Sequence, residues 1–285
     1  MVRLIGILAG LFFTVAVLWA FVTGAITTAS QGYFVEPTVE HEFHEHPREV
    51  DFAHEGAFGR FDRQQLQRGY QVYKEVCSVC HSLRQVAFRN LSELGYTEAE
   101  VKAEAADWQV PGIDPNTGET TSRPGTPTDY FPKPFANDVA AAAANNNAIP
   151  PDLSLITKAR HDGPAYLYSL LIGYQEQPTE LLEQFPDAET PSGLYYNPYF
   201  PNLNLAMAPP LLADGQVTYA DGTEPTIDQM AKDVSAFLTW TAEPTLEKRK
   251  QTGWPVLGFL LFATVLAFFA KKQIWAAAKP KRRKD

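Results

Sequence analysis

Cys77-Ser78-Val79-Cys80-His81 decides how the rest of this chain is read. Two thiols separated by two residues and followed at once by an imidazole form the attachment signature of a c-type haem. The order is chemical: the sulfurs add to the two porphyrin vinyl groups as thioethers, and the next side chain then lies under the iron as its proximal ligand. A bare C-x-x-C could instead be a redox dithiol or half of a zinc site. The chain, however, has only these 2 cysteines and so no second C-x-x-C. A five-residue match can also arise by accident, so its setting has to support it.

The residues before the motif do support it. Asp62 can cap a helix whose apolar positions Leu66, Tyr70, Tyr73 and Val76 recur at spacings of three and four and which delivers Cys77 at its end. Gly69 interrupts that face. Glycine weakens a helix and is expected where another helix or the haem approaches closely. A six-coordinate iron also needs a distal ligand. Of the 3 methionines, Met1 starts an apolar segment and Met230 falls on the apolar face of a later helix. Met207 lies in Leu205-Ala206-Met207-Ala208-Pro209-Pro210, where two prolines fix the backbone that follows, and it is the favoured distal ligand. His161 is the alternative and would give two nitrogen ligands. His/Met ligation raises the reduction potential and suits a late electron carrier, whereas an open sixth position would favour ligand activation, as in a haem peroxidase.

The 285 residues, 45% of them hydrophobic, suit one soluble domain with appendages. Both cysteines are consumed by the motif, which leaves proline and the cofactor to supply rigidity. Charge is unevenly placed. Residues 30–246 hold 13 Lys/Arg against 31 Asp/Glu, a balance of −18, and residues 247–285 hold 10 Lys/Arg against 2 acids, a balance of +8. An acidic body argues against nucleic-acid binding and suits a cationic partner.

Residues 4–29 are uncharged and apolar, about 39 Å long as a helix and enough to cross a bilayer. The run is longer than the usual core of a signal peptide and ends in no good Ala-x-Ala site, which favours an uncleaved signal anchor over a cleaved export signal. A second apolar span at 253–270 is about 27 Å long. Lys248, Arg249 and Lys250 precede it, and Lys271, Lys272 and the tail Lys279-Pro280-Lys281-Arg282-Arg283-Lys284 follow. The heavier cluster places the C-terminus in the cytoplasm and the acidic body outside.

Between the spans, residues 31–60 with His41, His44, His46 and His54 read as a solvated linker. The stretch 90–110 reads as partly helical, with Leu91, Leu94, Val101 and Trp108 inward, and 111–134 as turns around Asp114-Pro115-Asn116-Thr117-Gly118. An alanine helix at 140–144 stops at Asn145-Asn146-Asn147, and a helix near 163–171 turns Tyr166, Leu167 and Leu170 inward. Residues 174–206 read as irregular chain, wrapped with the other loops on a large cofactor. Thr226-Ile227-Asp228-Gln229 has the form of a capping box. It opens a helix with Ile227, Met230, Val234, Phe237 and Leu238 on one face, ended by Glu243-Pro244.

Taken together, several stretches resemble the cytochrome c1 family, the haem-c subunits of quinol:cytochrome c reductase (the cytochrome bc1 complex), in an alphaproteobacterial or mitochondrial-like form. They are the run from Gln65 to His81, Asp129-Tyr130-Phe131-Pro132-Lys133-Pro134-Phe135, Asn145 through Pro150-Pro151-Asp152-Leu153-Ser154, and Lys158-Ala159-Arg160-His161. Tyr195 to Pro201, Met207-Ala208-Pro209-Pro210 and Met230 to Pro244 follow in the family's order. The resemblance implies thioethers at Cys77 and Cys80 to one haem c, axial ligands at His81 and Met207, and a propionate-binding arginine at Arg160. It also places Asn145, Pro151, Tyr166 and Phe200 along the haem pocket. Family members usually carry a cleavable N-terminal signal, so the long apolar segment leaves either one or two membrane helices.

The fold expected is mostly α: a class I-like cytochrome c fold with long loop insertions, a C-terminal transmembrane helix and an N-terminal one. The expected divisions are 1–30 as signal anchor or signal peptide, 31–246 as a periplasmic haem domain and 247–285 as anchor and basic cytoplasmic tail of a bacterial inner-membrane protein. By resemblance, the chain passes one electron from the Rieske iron–sulfur protein to a soluble or membrane-bound c-type cytochrome, performs no bond chemistry itself and has cytochrome b as membrane partner. The rival readings are a membrane-anchored c-type cytochrome feeding an oxidase directly and a haem-c peroxidase.

Overall fold

Two amphipathic helices set the frame. The first, α3 after α1 (Val2–Gln31) and the short α2 (Val39–Phe43), spans Arg63–Glu75, and Asp62 caps it by accepting from the Gln64 and Gln65 amides. The computed structural model describes residues 2–31 and 38–276; the basic tail at 279–284 lies outside them. The other frame helix, α8 (Ile227–Ala242), follows α4 (Glu98–Ala106), α5 (Asp138–Ala144), α6 (Gly163–Ile172) and α7 (Thr179–Gln184). The last described helix is α9 (Leu246–Ala276). Two small antiparallel pairs complete it, β1 (Gln109–Ile113) with β2 (Thr120–Pro124) and β3 (Tyr195–Tyr196) with β4 (Asn204–Leu205).

Helices α3 and α8 meet where Gly69 removes the side chain: a methyl built there would lie 2.1 Å from the Asp233 carbonyl oxygen. Of the two causes the sequence offers for this glycine, a second helix and the haem, the helix is the one observed. Beside it Asp233, fully buried, accepts from Arg68 Nε at 2.8 Å and from Gln229 Nε2 at 2.8 Å. That contact also alters the expected capping box of α8. Thr226 caps the Gln229 amide, but the Gln229 side chain turns forward to Asp233 instead of back to the cap. Around the crossing, Tyr70, Tyr73, Phe88, Phe131 and Phe237 pack ring on ring, with Met230 fully buried as a core residue. Burying each such side chain stabilises the fold by about 1.5–3 kcal/mol.

Three expectations are corrected. The stretch 111–134 is not all turn: Val110 pairs with Arg123 in a hairpin closed by the Asp114–Gly118 turn. The stretch 174–206 contains α7 and the β3–β4 pair, and its loops are fixed by side chains bonded to main chain. Gln177 holds both the Ala188 carbonyl and the Thr190 amide, and Asn197 Nδ2 donates to Leu170 O at 2.8 Å. Within the described part of 31–60 the chain is a packed strap rather than a solvated linker. Arg48 donates from its amide to Ser169 Oγ (2.8 Å) and from Nε to the Tyr199 hydroxyl (2.8 Å). Phe52 is in the core, and His54 is buried between the Phe52 and Phe61 rings. Burial, and then the Lys250 charge, lower the His54 imidazole to about 4, so it is neutral.

The strap ends on the anchor. Phe61 N–H donates to Glu247 Oε1 (2.9 Å), and Lys250 Nζ donates to the carbonyls of His54 (2.7 Å) and Gly56 (2.6 Å). One turn further along, Trp254 stacks on Phe58 with centroids 5.2 Å apart. Beyond that α9 is exposed and apolar, and it and α1 are the two described helices long and apolar enough to cross a membrane.

Candidate functional site

Helix α3 ends at Val76 and the motif follows as a single tight turn over Cys77–Val79, with the Cys80 and His81 amides both donating to the Cys77 carbonyl. The two thiols are not joined to each other. Burial, and then Cys80, push the Cys77 thiol up to about 12. An activated redox dithiol needs the opposite shift, so the direction does not favour thiol–disulfide chemistry.

His81 Nδ1 lies 2.8 Å from the Pro151 carbonyl oxygen. A carbonyl only accepts, so the proton is on Nδ1 and the lone pair is on Nε2. That second bond is the usual device for fixing the tautomer and orientation of a metal-binding imidazole. Burial also lowers the His81 pKa, with the Pro151 bond and Asp152 opposing. The Pro151 carbonyl is itself held in place by a zip between two segments. Asp152 Oδ2 accepts from Ser82 Oγ (2.7 Å) and the Arg84 amide (2.9 Å), and the Leu153 amide donates to Ser82 O (2.9 Å). Burial pushes the Asp152 carboxyl up, but the bonds from Arg84, Ser154 and Ser82 outweigh it and hold it below the ordinary carboxylate value.

Met207 comes two residues after β4 and packs, half-buried, against the same core cluster as Cys77 and Phe200, with Tyr166 a buried member of that cluster. Its carbonyl accepts from the Tyr174 hydroxyl at 3.1 Å, and on the motif side the Tyr73 hydroxyl donates to the His81 carbonyl at 3.1 Å. Burial raises the Tyr166 hydroxyl, and the neighbouring Arg160 works against it. Arg160 itself is exposed, with Nη1 on the Ala159 carbonyl. Asn145 is placed differently: it ends α5, and its amide turns back to Ala141 O at 2.7 Å. His161, the alternative ligand, is exposed. Sequence reasoning missed Asp152 and Tyr174 as supports of the site. Only Asp152 had a signal, the Asp-x-Ser turn, in which Oδ1 accepts the Ser154 amide at 3.0 Å.

The donor set therefore fits a haem: two unpaired sulfurs, an imidazole with its Nε2 lone pair free, and a methionine on the same core. A helical domain that ends α3 in this set and continues into a long apolar helix is the arrangement of a c-type cytochrome with a helix long enough to cross a membrane. Comparison narrows the class. The Cytochrome C1 family matches residues 52–278. Among relatives, cytochrome c1 of Rhodospirillum rubrum is 49% identical over 238 residues, covering 80% of this chain and 87% of that one. The mitochondrial cytochrome c1 haem protein of Saccharomyces cerevisiae is 44% identical over 231 residues, 81% of this chain and 72% of that one. Cytochrome b/c1 of Bradyrhizobium diazoefficiens is 48% identical over 236 residues, which are 78% of this chain but only 34% of that longer protein. The chain belongs to the cytochrome C1 family, and with it to the haem-bearing electron-transfer subunits of bacterial membrane cytochrome bc1 complexes.

Proposed function

We propose that residues 31–246 form a periplasmic domain in which one haem c is attached through Cys77 and Cys80, with His81 and Met207 as axial ligands. The His81 Nδ1–Pro151 carbonyl bond carries this reading, because it leaves Nε2 as an oriented, unprotonated donor beside the two thiols. When bound, the haem supplies a one-electron ferric/ferrous couple. The chain's residues do the rest. Tyr166 and Phe200 exclude water from the methionine side, and Arg160 offers a guanidinium fork to a propionate. Asn145 and Pro151 bound the pocket at the end of α5 and beside the motif, Pro151 through its main chain.

In this reading the electron comes from the Rieske iron–sulfur protein and leaves to a c-type cytochrome, and cytochrome b is the membrane partner. The Bradyrhizobium relative supports the last point, since its name joins b and c1 in one chain. The C-terminus then faces the cytoplasm, as its basic cluster favours. Affinity purification of the full chain from mildly solubilised membranes tests the assignment. Cytochrome b and an iron–sulfur protein should co-purify, and quinol should reduce the haem. A chain that purifies alone, carries haem and feeds an oxidase would support the anchored-carrier reading instead.

A further inference from the structure

The two proposed axial ligands share an arrangement that their side chains do not reveal: the main-chain carbonyl of each accepts a tyrosine hydroxyl at 3.1 Å. The two cases are not equivalent. His81 follows Cys80 directly, so covalent attachment would hold the proximal segment whether or not Tyr73 donated. Met207 has no such tie. A thioether is a weak ligand, and its bond to iron competes with every motion of the loop that carries it.

That loop is short of donors. Pro209 and Pro210 have no N–H, so that part of the loop is fastened through its carbonyls, and the first amide beyond it to be held is that of Leu212, which donates to Gln216 Oε1 (2.7 Å). Gln216 Nε2 donates to the Pro210 carbonyl (2.9 Å), and Tyr174 donates to that of Met207 (3.1 Å). Tyr174 is itself well anchored. It leaves α6 just after Gly173, where an added Cβ would lie 2.3 Å from the Tyr199 ring, so that ring seats directly on the helix end. Asn197 then ties the Tyr199 amide (3.1 Å) and the Leu170 carbonyl (2.8 Å) together, and its own amide reaches Leu203 O (2.7 Å). The end of α6 and the loop leading into β4 therefore form one knot, and the Tyr174 hydroxyl joins it to the main chain at Met207.

We propose that Tyr174 is a positioning residue for the distal ligand, holding the Met207 loop so that the sulfur stays on the iron, while Tyr73 plays no comparable part on the proximal side. This rests on Met207 being the ligand. The test uses the haem-loaded full chain in its purified complex, with carbon monoxide as the probe, because carbon monoxide must displace the methionine from reduced iron. Loss of a partly buried hydrogen bond is worth about a factor of ten in an equilibrium.

Tyr174→Phe should therefore raise the carbon monoxide affinity about tenfold while haem stays covalently attached, and Tyr73→Phe should leave the affinity at the wild-type value. Met207→Leu should lose the far-red sulfur-to-iron band. If Met207→Leu keeps that band, the ligand reading falls. If it loses the band but Tyr174→Phe stays within twofold of wild type, the positioning role alone is overturned. An equal rise in Tyr73→Phe would also overturn it, as general loosening of the core. Should Tyr174→Phe not accumulate, Tyr174→Gln, with a shorter reach, should still raise the affinity; a wild-type value there rejects the proposal.

Discussion

Gly69→Ala opposes two physical effects of known sign. On helix propensity alone, alanine in the middle of α3 should stabilise the protein by about 0.8–1 kcal/mol. The crossing with α8 says the reverse. The new methyl would sit 2.1 Å from the Asp233 carbonyl oxygen, 2.7 Å from its carbon and 2.7 Å from Phe237 Cβ. Carbon contacts settle at about 3.5–4.0 Å, so the helices must part by more than an ångström locally. The nearest obstructing atoms are main chain and cannot rotate aside. Overpacking of this kind costs about 1–3 kcal/mol or more. Parting the helices also stretches the 2.8 Å contact between Arg68 and the fully buried Asp233, and a buried carboxylate that loses its partner is strongly destabilising. The net expectation is a loss of about 2–3 kcal/mol, which in a domain of this size lowers Tm by about 4–12 °C. Thermal unfolding of the purified full chain, followed by far-ultraviolet circular dichroism, reads it directly. A Tm at or above wild type would mean that the helices do not meet through this glycine, and the reasoning about the α3–α8 contact would fail.

Met207→Leu should keep haem covalently attached, because the thioethers do not depend on the distal side. The reduction potential should fall, as redox titration would measure. The His54 imidazole titrates at about 4 when folded against an ordinary 6.5. The unfolded chain therefore binds the extra proton first, and stability present above pH 6.5 drains away as pH falls toward 4. The difference corresponds to about 3 kcal/mol, and His54→Gln should flatten that part of a stability-versus-pH curve; an unchanged slope rejects the account. Oxidation of the haem by a basic soluble cytochrome c should slow as salt rises, since residues 30–246 carry a balance of −18 and the Debye length shrinks from about 8 Å at 0.15 M to about 3 Å at 1 M. A second-order rate that is flat across the salt series rejects steering. Intact mass spectrometry should find the N-terminal apolar segment still attached; a mature chain starting near Ser30 would contradict the signal-anchor reading.

Helices α3 and α8 were legible because each announces itself twice, in a capping residue and in apolar positions at helical spacing. The hairpin was not. Strand β2 is exposed at nearly every position, so it has no inward face and no alternation to read, and the Pro, Gly and Thr content of 111–134 mimics a turn. The strap was misread for a different reason. Its contacts join residues 121 and 151 positions apart, Arg48 to Ser169 and to Tyr199, and no local pattern carries that information. At the proposed site, the candidate haem residues Cys77, Cys80, His81 and Met207 stand out in the sequence by type and spacing. The supports were harder to see: Asp152 left only its Asp-x-Ser turn, and Tyr174 bonds to a main-chain carbonyl, a group identical in every residue.

The grip of residues 54–61 on the first turns of α9 has a mechanical meaning. Three kinds of contact, an amide on Glu247, an ammonium on two carbonyls and a ring on a ring, tie the domain to its mast. A helix longer than the bilayer is thick leans to fit it, and here any lean passes straight to the electron-carrying end. In the proposed function, membrane thickness thus bears on the orientation of the haem-bearing end.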